Sequence, residues 1–171
     1  MVHQHFMLVP VFTVWENIIL GLGDIPLVIN KEKIIARIRE ISDRYSLAVD
    51  PEAKVWQLSI GEQQRVEILK MLYRGTKVLI LDEPTSVLTP QETRELFKTL
   101  KDMVAAGHGI ILISHKIEEI MEISDRLTVL RKGVRVATRE AAGVSKAEIA
   151  EMMVGHSLEG TSLPELSLIH I

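Results

Sequence analysis

An α/β fold built on a parallel sheet is predicted by three features of this chain. Two short apolar runs, Val78–Leu81 and Ile110–Ile113, have the length and composition of buried strands. Between them, Thr89-Pro90-Gln91-Glu92 opens a helix with a threonine cap, a proline in the first turn and a capping-box glutamate. Strand, helix and strand at this spacing form a parallel crossover unit.

The other elements follow in order. Asn30 can cap a helix whose apolar residues Ile34, Ile35, Ile38 and Ile41 keep helical spacing, with charges between them. With the segment around Trp15-Glu16-Asn17 it makes a helical region from about 13 to 72. Within that region Ser59-Ile60-Gly61-Glu62 is a capping box at another helix start. The crossover helix carries the stripe Leu96, Leu100, Met103, and Gly107 can end it. Beyond the second strand, Arg126–Arg131 and Val134–Ala137 form a hairpin around Lys132-Gly133, and Ser145-Lys146-Ala147-Glu148 caps a last helix. The chain has no internal repeat and no low-complexity tract.

Bulk composition narrows the function classes. The 171 residues are 47% apolar and 25% charged, ordinary values for a globular domain, and long enough to bury a core. A net charge of -3 gives no reason to expect nucleic acid as a partner. With no cysteine, thiolate metal sites and disulfides are excluded, and the six histidines are scattered. The apolar run Phe6–Val14 lacks the basic flank and small-residue cleavage site of a signal peptide. No stretch approaches the roughly 20 apolar residues of a membrane span, so a link to a membrane would run through a partner.

The chemistry concentrates at one predicted edge. In an open parallel sheet, ligands gather at the carboxyl ends of the strands. Asp82-Glu83 ends the first run and Ser114-His115 follows the second. An acid for Mg²⁺, a second carboxylate for water and a donor for a terminal phosphate are what phosphoryl transfer needs. Asp82-Glu83 alone would be an ordinary strand-to-loop turn, and His115 alone a helix-entry residue. Their shared edge lifts both above that reading. Ser59 is a plain cap in its local context, but a capped helix start is also an anion site of backbone N–H groups. His3, His5 and the turn Gly21-Leu22-Gly23-Asp24 carry no assignable role.

Four motifs in order resemble those of the ABC-type ATPases. Gln4 is similar to the Q-loop glutamine, Leu58–Gln63 to the signature, Leu81-Asp82-Glu83-Pro84 to Walker B, and His115 to the switch histidine. Ser86-Val87-Leu88-Thr89 stands in the place of the D-loop. The Glu-Gln-Gln-Arg ending of the signature and Val87–Glu92 look like ATP-binding subunits of bacterial nucleoside and simple-sugar importers.

The resemblance implies a P-loop NTPase-like sheet core with a helical subdomain, ATP and Mg²⁺ as cofactors, and a role for each residue. Asp82 would hold Mg²⁺, Glu83 would act as general base, and His115 would donate to the γ-phosphate. Gln4 would touch metal or water and couple the site to the transmembrane permease. Ser59, Gly61 and Glu62 would form the signature contact to ATP bound on a second ATPase domain, fused or separate. A solute-binding protein would be an indirect partner, and the chain would sit peripherally on the cytoplasmic face of a bacterial membrane. Two positions depart from the family pattern: Glu62 stands where many relatives have glutamine, and Thr89 where many have aspartate.

The resemblance also sets expectations about extent. Residues 1–158 would be a partial ATPase domain, with 13–72 helical and 76–158 running from Walker B onward. No G-x-x-x-x-G-K-[ST] loop occurs in the 171 residues, so the chain by itself is expected to be inactive, with an N-terminal part missing and Met1 internal. The tail 159–171 is expected to be foreign, since Leu166–Ile171 reads as a translated sequencing-adapter end. Two other functions remain open from sequence: a soluble ABC ATPase of translation or DNA repair, and a non-catalytic interaction half.

Overall fold

The computed structural model describes residues 1–2, 6–23 and 29–155, in two compact units, Met1–His115 and Lys116 onward. Gln4, His3, His5, Asp24 and the tail 159–171 lie outside the described residues.

In the first unit, α1 (Val14–Ile19) starts at Thr13, whose hydroxyl accepts from Glu16 N–H in a complete capping box. Asn17 on this helix is fully buried and fixes the segment before it. Its Oδ1 accepts from Val9 N–H at 2.7 Å, and its Nδ2 donates to Val9 O at 3.1 Å and Thr13 O at 3.0 Å. The next helix, α2 (Lys31–Arg44), is capped by Asn30 as predicted and buries Ile35, Ile38 and Ile41. After a 3-10 turn at Val55–Gln57 comes α3 (Ile60–Tyr73), which buries Val66, Ile68, Leu69 and Leu72.

The predicted crossover follows. β1 (Val78–Asp82) leads into α4 (Pro90–Ala105), which returns to β2 (Gly109–Ile113). The strands pair in parallel, from Val78 opposite Gly109 to Asp82 opposite Ile113. Leu96, Leu100 and Met103 of α4 are buried together with Phe97. Gly107 ends the helix at φ +91°, where a residue with a Cβ would be strained.

One pairing is absent from the sequence reading. Val2 bridges β1 on the side away from β2, donating to Ile80 O at 2.8 Å and accepting from Asp82 N–H at 3.0 Å. A single residue in extended pairing leaves no periodicity to detect. It gives β1 a neighbour on each edge; Leu79 and Leu81, which share one face of the strand, are almost fully buried, whereas Val78 is exposed.

The second unit holds α5 (Ile117–Ile123), the antiparallel pair β3 (Arg126–Arg131) and β4 (Val134–Glu140), and α6 (Lys146–Val154). The hairpin turns at Lys132 and Gly133, both with positive φ, which matches the twist of the strands. Strand β4 continues to Glu140, past the predicted end at Ala137. Leu127, Val129, Ala141, Val144 and Ile149 form this unit's core, with Ile117, Ile120 and Met121 of α5 against it. Helix α5 is missing from the predicted elements because Lys116 supplies no side-chain cap, so its start carries no signal.

Candidate functional site

Two strand ends meet at the first unit's sheet edge. Because Asp82 is opposite Ile113 in the parallel register, the residues that follow each strand emerge side by side. Glu83 N–H donates to Ile113 O at 2.9 Å, extending the ladder by one step. Glu83 Oε1 then lies 3.0 Å from His115 Nδ1, with the histidine side chain 63% exposed and the glutamate 31%. The carboxylate is thus oriented by a neighbour while keeping a face open to water.

Glu83 adopts φ +45°, a left-handed conformation for a residue with a Cβ. This costs on the order of 1 kcal/mol, and such strain collects where geometry serves function. The turn that holds it runs Glu83–Leu88, with Ser86 N–H donating to Glu83 O at 3.1 Å and Thr85 buried. Asp82 is half-buried beside it. Among the described residues, no group of three or more histidines and acids is gathered for a metal ion. A bound Mg²⁺ typically takes only one or two protein carboxylates, the rest being water and phosphate oxygens, so the half-buried Asp82 is a fitting donor in type, with Glu83 left to its pairing with His115.

The second predicted constellation is the start of α3. Ser59 is its cap: the hydroxyl accepts from Glu62 N–H at 3.3 Å, and Glu62 Oε2 accepts from both Ser59 N–H and Ser59 Oγ at 2.8 Å. Glu62 is therefore engaged within the helix start, and the Ser59 hydroxyl proton already has an acceptor. Gly61 is buried against α4, where a methyl group on its Cα would meet Glu92 Oε1 at 2.5 Å. One turn on, Arg65 donates to Glu95 of α4 at 3.0 Å and to Ala48 O at 3.2 Å. Sequence reasoning missed these α3–α4 contacts, since nothing local marks residues 30 apart as partners.

A model of the ABC transporter family matches residues 1–86. The nucleoside import ATP-binding protein NupA of Lactococcus lactis subsp. cremoris is 51% identical over 160 residues, covering 92% of this chain and 31% of that protein. The guanosine import ATP-binding protein NupO of Bacillus subtilis is 52% identical over 163 residues, covering 92% and 31%. The chain thus spans about a third of the length of these relatives. Its fold is shared with the ADP conformation of an ATP-binding cassette from an ABC transporter, at TM-score 0.73 and 23% identity, over 91% of this chain and 67% of that one. With half of its residues matched by the family model and a cassette fold at its core, the chain belongs to the ABC transporter family.

Proposed function

We propose that this chain is part of the ATP-hydrolysing subunit of an importer, coupling ATP binding and hydrolysis to uptake of a nucleoside or a simple sugar. The observation that carries the proposal is the Glu83–His115 pair, 3.0 Å apart at the carboxyl edge of two parallel strands with Asp82 adjacent. Glu83 acts as general base, taking the proton of the attacking water on its open face. Its Oε1, paired with His115 Nδ1, keeps the carboxylate aimed, and the other ring nitrogen of the exposed imidazole would serve the terminal phosphate. Mg²⁺, when bound, neutralises phosphate charge, and Asp82 with Gln4 would hold it. Ser59 and Gly61 offer the start of α3 to the γ-phosphate of ATP held on a second ATPase domain, while Glu62 sets the serine rotamer.

The partners proposed are transmembrane permease subunits, a second ATPase domain and, indirectly, a solute-binding protein. Among the described residues no helix is long and apolar enough to cross a membrane, which fits a peripheral subunit reaching the cytoplasmic face through its permease. The 171 residues hold no glycine-rich loop with a lysine, so nucleotide turnover is assigned to an assembly and not to this segment alone. The test is reconstitution of an assembly containing this segment in vesicles. Nucleoside-stimulated ATP hydrolysis that disappears in Glu83→Gln supports the reading. Stimulation by neither nucleosides nor sugars, or uptake that persists in Glu83→Gln, would refute it.

A further inference from the structure

The acid pair and Ser59 belong to different elements, and α4 begins just after the turn that follows the acid pair while its Glu92 faces Gly61 of α3. Its first turn is a capping box: Glu92 Oε2 accepts from Thr89 N–H and Thr89 Oγ1, each at 2.8 Å. That hold pulls the Glu92 carboxyl below its ordinary pKa, with the Thr89 backbone bond as the main cause and Arg65 as a smaller one. The other oxygen of the same carboxylate faces Gly61, so close that a methyl group there would lie 2.5 Å from Oε1 and 3.0 Å from the carboxyl carbon. Glu92 cannot swing aside freely, because doing so would break both bonds to Thr89. Thr89 in turn follows directly on the turn Glu83–Leu88. One turn further along both helices, Arg65 and Glu95 pair at 3.0 Å.

We infer that Glu92 is a positioning residue for the phosphate contact, its capped carboxylate serving as the stop against which Gly61 and the start of α3 are set. This rests on the reading of Ser59 and Gly61 as γ-phosphate contacts. Through Glu92, the strand end that carries Asp82-Glu83 and the helix start that faces a second site's ATP share one rigid reference. Gly61 then lacks a side chain for an internal reason, the seating of Glu92, in addition to any close approach of phosphate.

The experiment is a mutant cycle of Gly61→Ala and Glu92→Gly in a nucleotide-hydrolysing assembly that contains this chain. It reads the thermal midpoint without nucleotide and the ATP dependence of hydrolysis. Gly61→Ala alone is expected to lower the midpoint and to raise the half-saturating ATP concentration about tenfold. Glu92→Gly removes the obstructing carboxylate but also the cap, so it lowers the midpoint by itself; the double variant should melt no lower than Glu92→Gly alone and stay within about threefold of it in ATP dependence. Glu92→Gln, which keeps shape and cap acceptor, should stay close to the parent, whereas Glu92→Ala should raise half-saturating ATP about threefold or more. A drop in midpoint on Gly61→Ala that is as large in the Glu92→Gly background as in the parent would show that the carboxylate does not seat Gly61. A double variant that melts with Glu92→Gly alone but keeps the ATP dependence impaired as in Gly61→Ala would assign Gly61 to phosphate alone and overturn the positioning role. A Ser59→Ala variant with unchanged ATP dependence would overturn the phosphate reading of α3 itself, and this inference with it.

Discussion

Glu83 Oε1 and His115 Nδ1 are 3.0 Å apart although 32 residues separate them in the chain. The parallel register brings them together, since each follows the last paired residue of its strand by one or two positions. If the two work as a unit, their losses should not add. In an assembly that hydrolyses ATP, Glu83→Gln is expected to lower the rate at least about a hundredfold while ATP binding survives, because shape is kept and only basicity is lost. His115→Ala should also fall strongly, and the double variant should be no slower than the slower single. Steady-state hydrolysis with a nucleotide-binding control checks this; near-parental turnover in Glu83→Gln would remove Glu83 from the role of base.

Much of this site was legible because its signals are local. An apolar run ending in Asp82-Glu83, a second ending before His115, and a Thr89 cap between them suffice to deduce a shared edge. The capping box at Ser59 was equally readable, since cap and glutamate are three residues apart. What escaped depends on contacts between distant segments. Val2 pairs with β1 through one residue. Gly61 meets Glu92 only after two helices have packed, and no spacing rule connects them. Helix α5 escaped for a different reason: it is short and starts at a lysine with no capping side chain. The left-handed Glu83 was hidden too, as nothing before Pro84 marks that conformation.

Asn17 and Asn30 offer a contrast in what an asparagine contributes. Asn30 caps α2 from an exposed site, its Oδ1 accepting from Lys33 N–H at 2.9 Å. Its replacement by alanine should cost about 1 kcal/mol, the usual loss of a cap. Asn17 is buried and satisfies both the N–H and the C=O of Val9. Asn17→Ala removes the partner of those two part-buried groups and of the buried bond to Thr13 O and leaves a cavity, so about 2–4 kcal/mol is expected. Chemical denaturation of each variant measures both, and equal losses would contradict the burial argument.

Acid should weaken the helix starts. Glu16, Glu92 and Glu148 are each held below the ordinary 4.5, chiefly by the backbone N–H of Thr13, Thr89 and Ser145, and next by the hydroxyls of those residues. A carboxyl whose folded pKa is lowered contributes stability that is present above its unfolded pKa and is lost as pH falls through the folded one. The thermal midpoint should therefore be nearly level between about pH 7 and 5 with respect to these groups and decline below 4.5. Glu92→Gln combined with Glu148→Gln should flatten that decline. An unchanged acid slope in the double variant would show that the caps do not carry it.

Gln64 carries the last prediction. It is 2% exposed on the buried face of α3, and among the described residues neither its amide nitrogen nor its oxygen has a hydrogen-bond partner. Around it, residues of α3, α4 and the Ser46-Leu47 segment line a cavity of about 260 Å³. An amide buried without partners is destabilising relative to an apolar group of the same shape, because both polar atoms have lost water and gained nothing. Methionine matches glutamine in length and removes both atoms. Gln64→Met should therefore be neutral or stabilising by up to about 2 kcal/mol, while Gln64→Ala enlarges the cavity and should destabilise. Denaturant midpoints of the two variants separate the effects, since they share the loss of the amide and differ only in volume. If Gln64→Met were as destabilising as Gln64→Ala, the amide would have to be satisfied in solution, with ordered water in the neighbouring cavity as its partner.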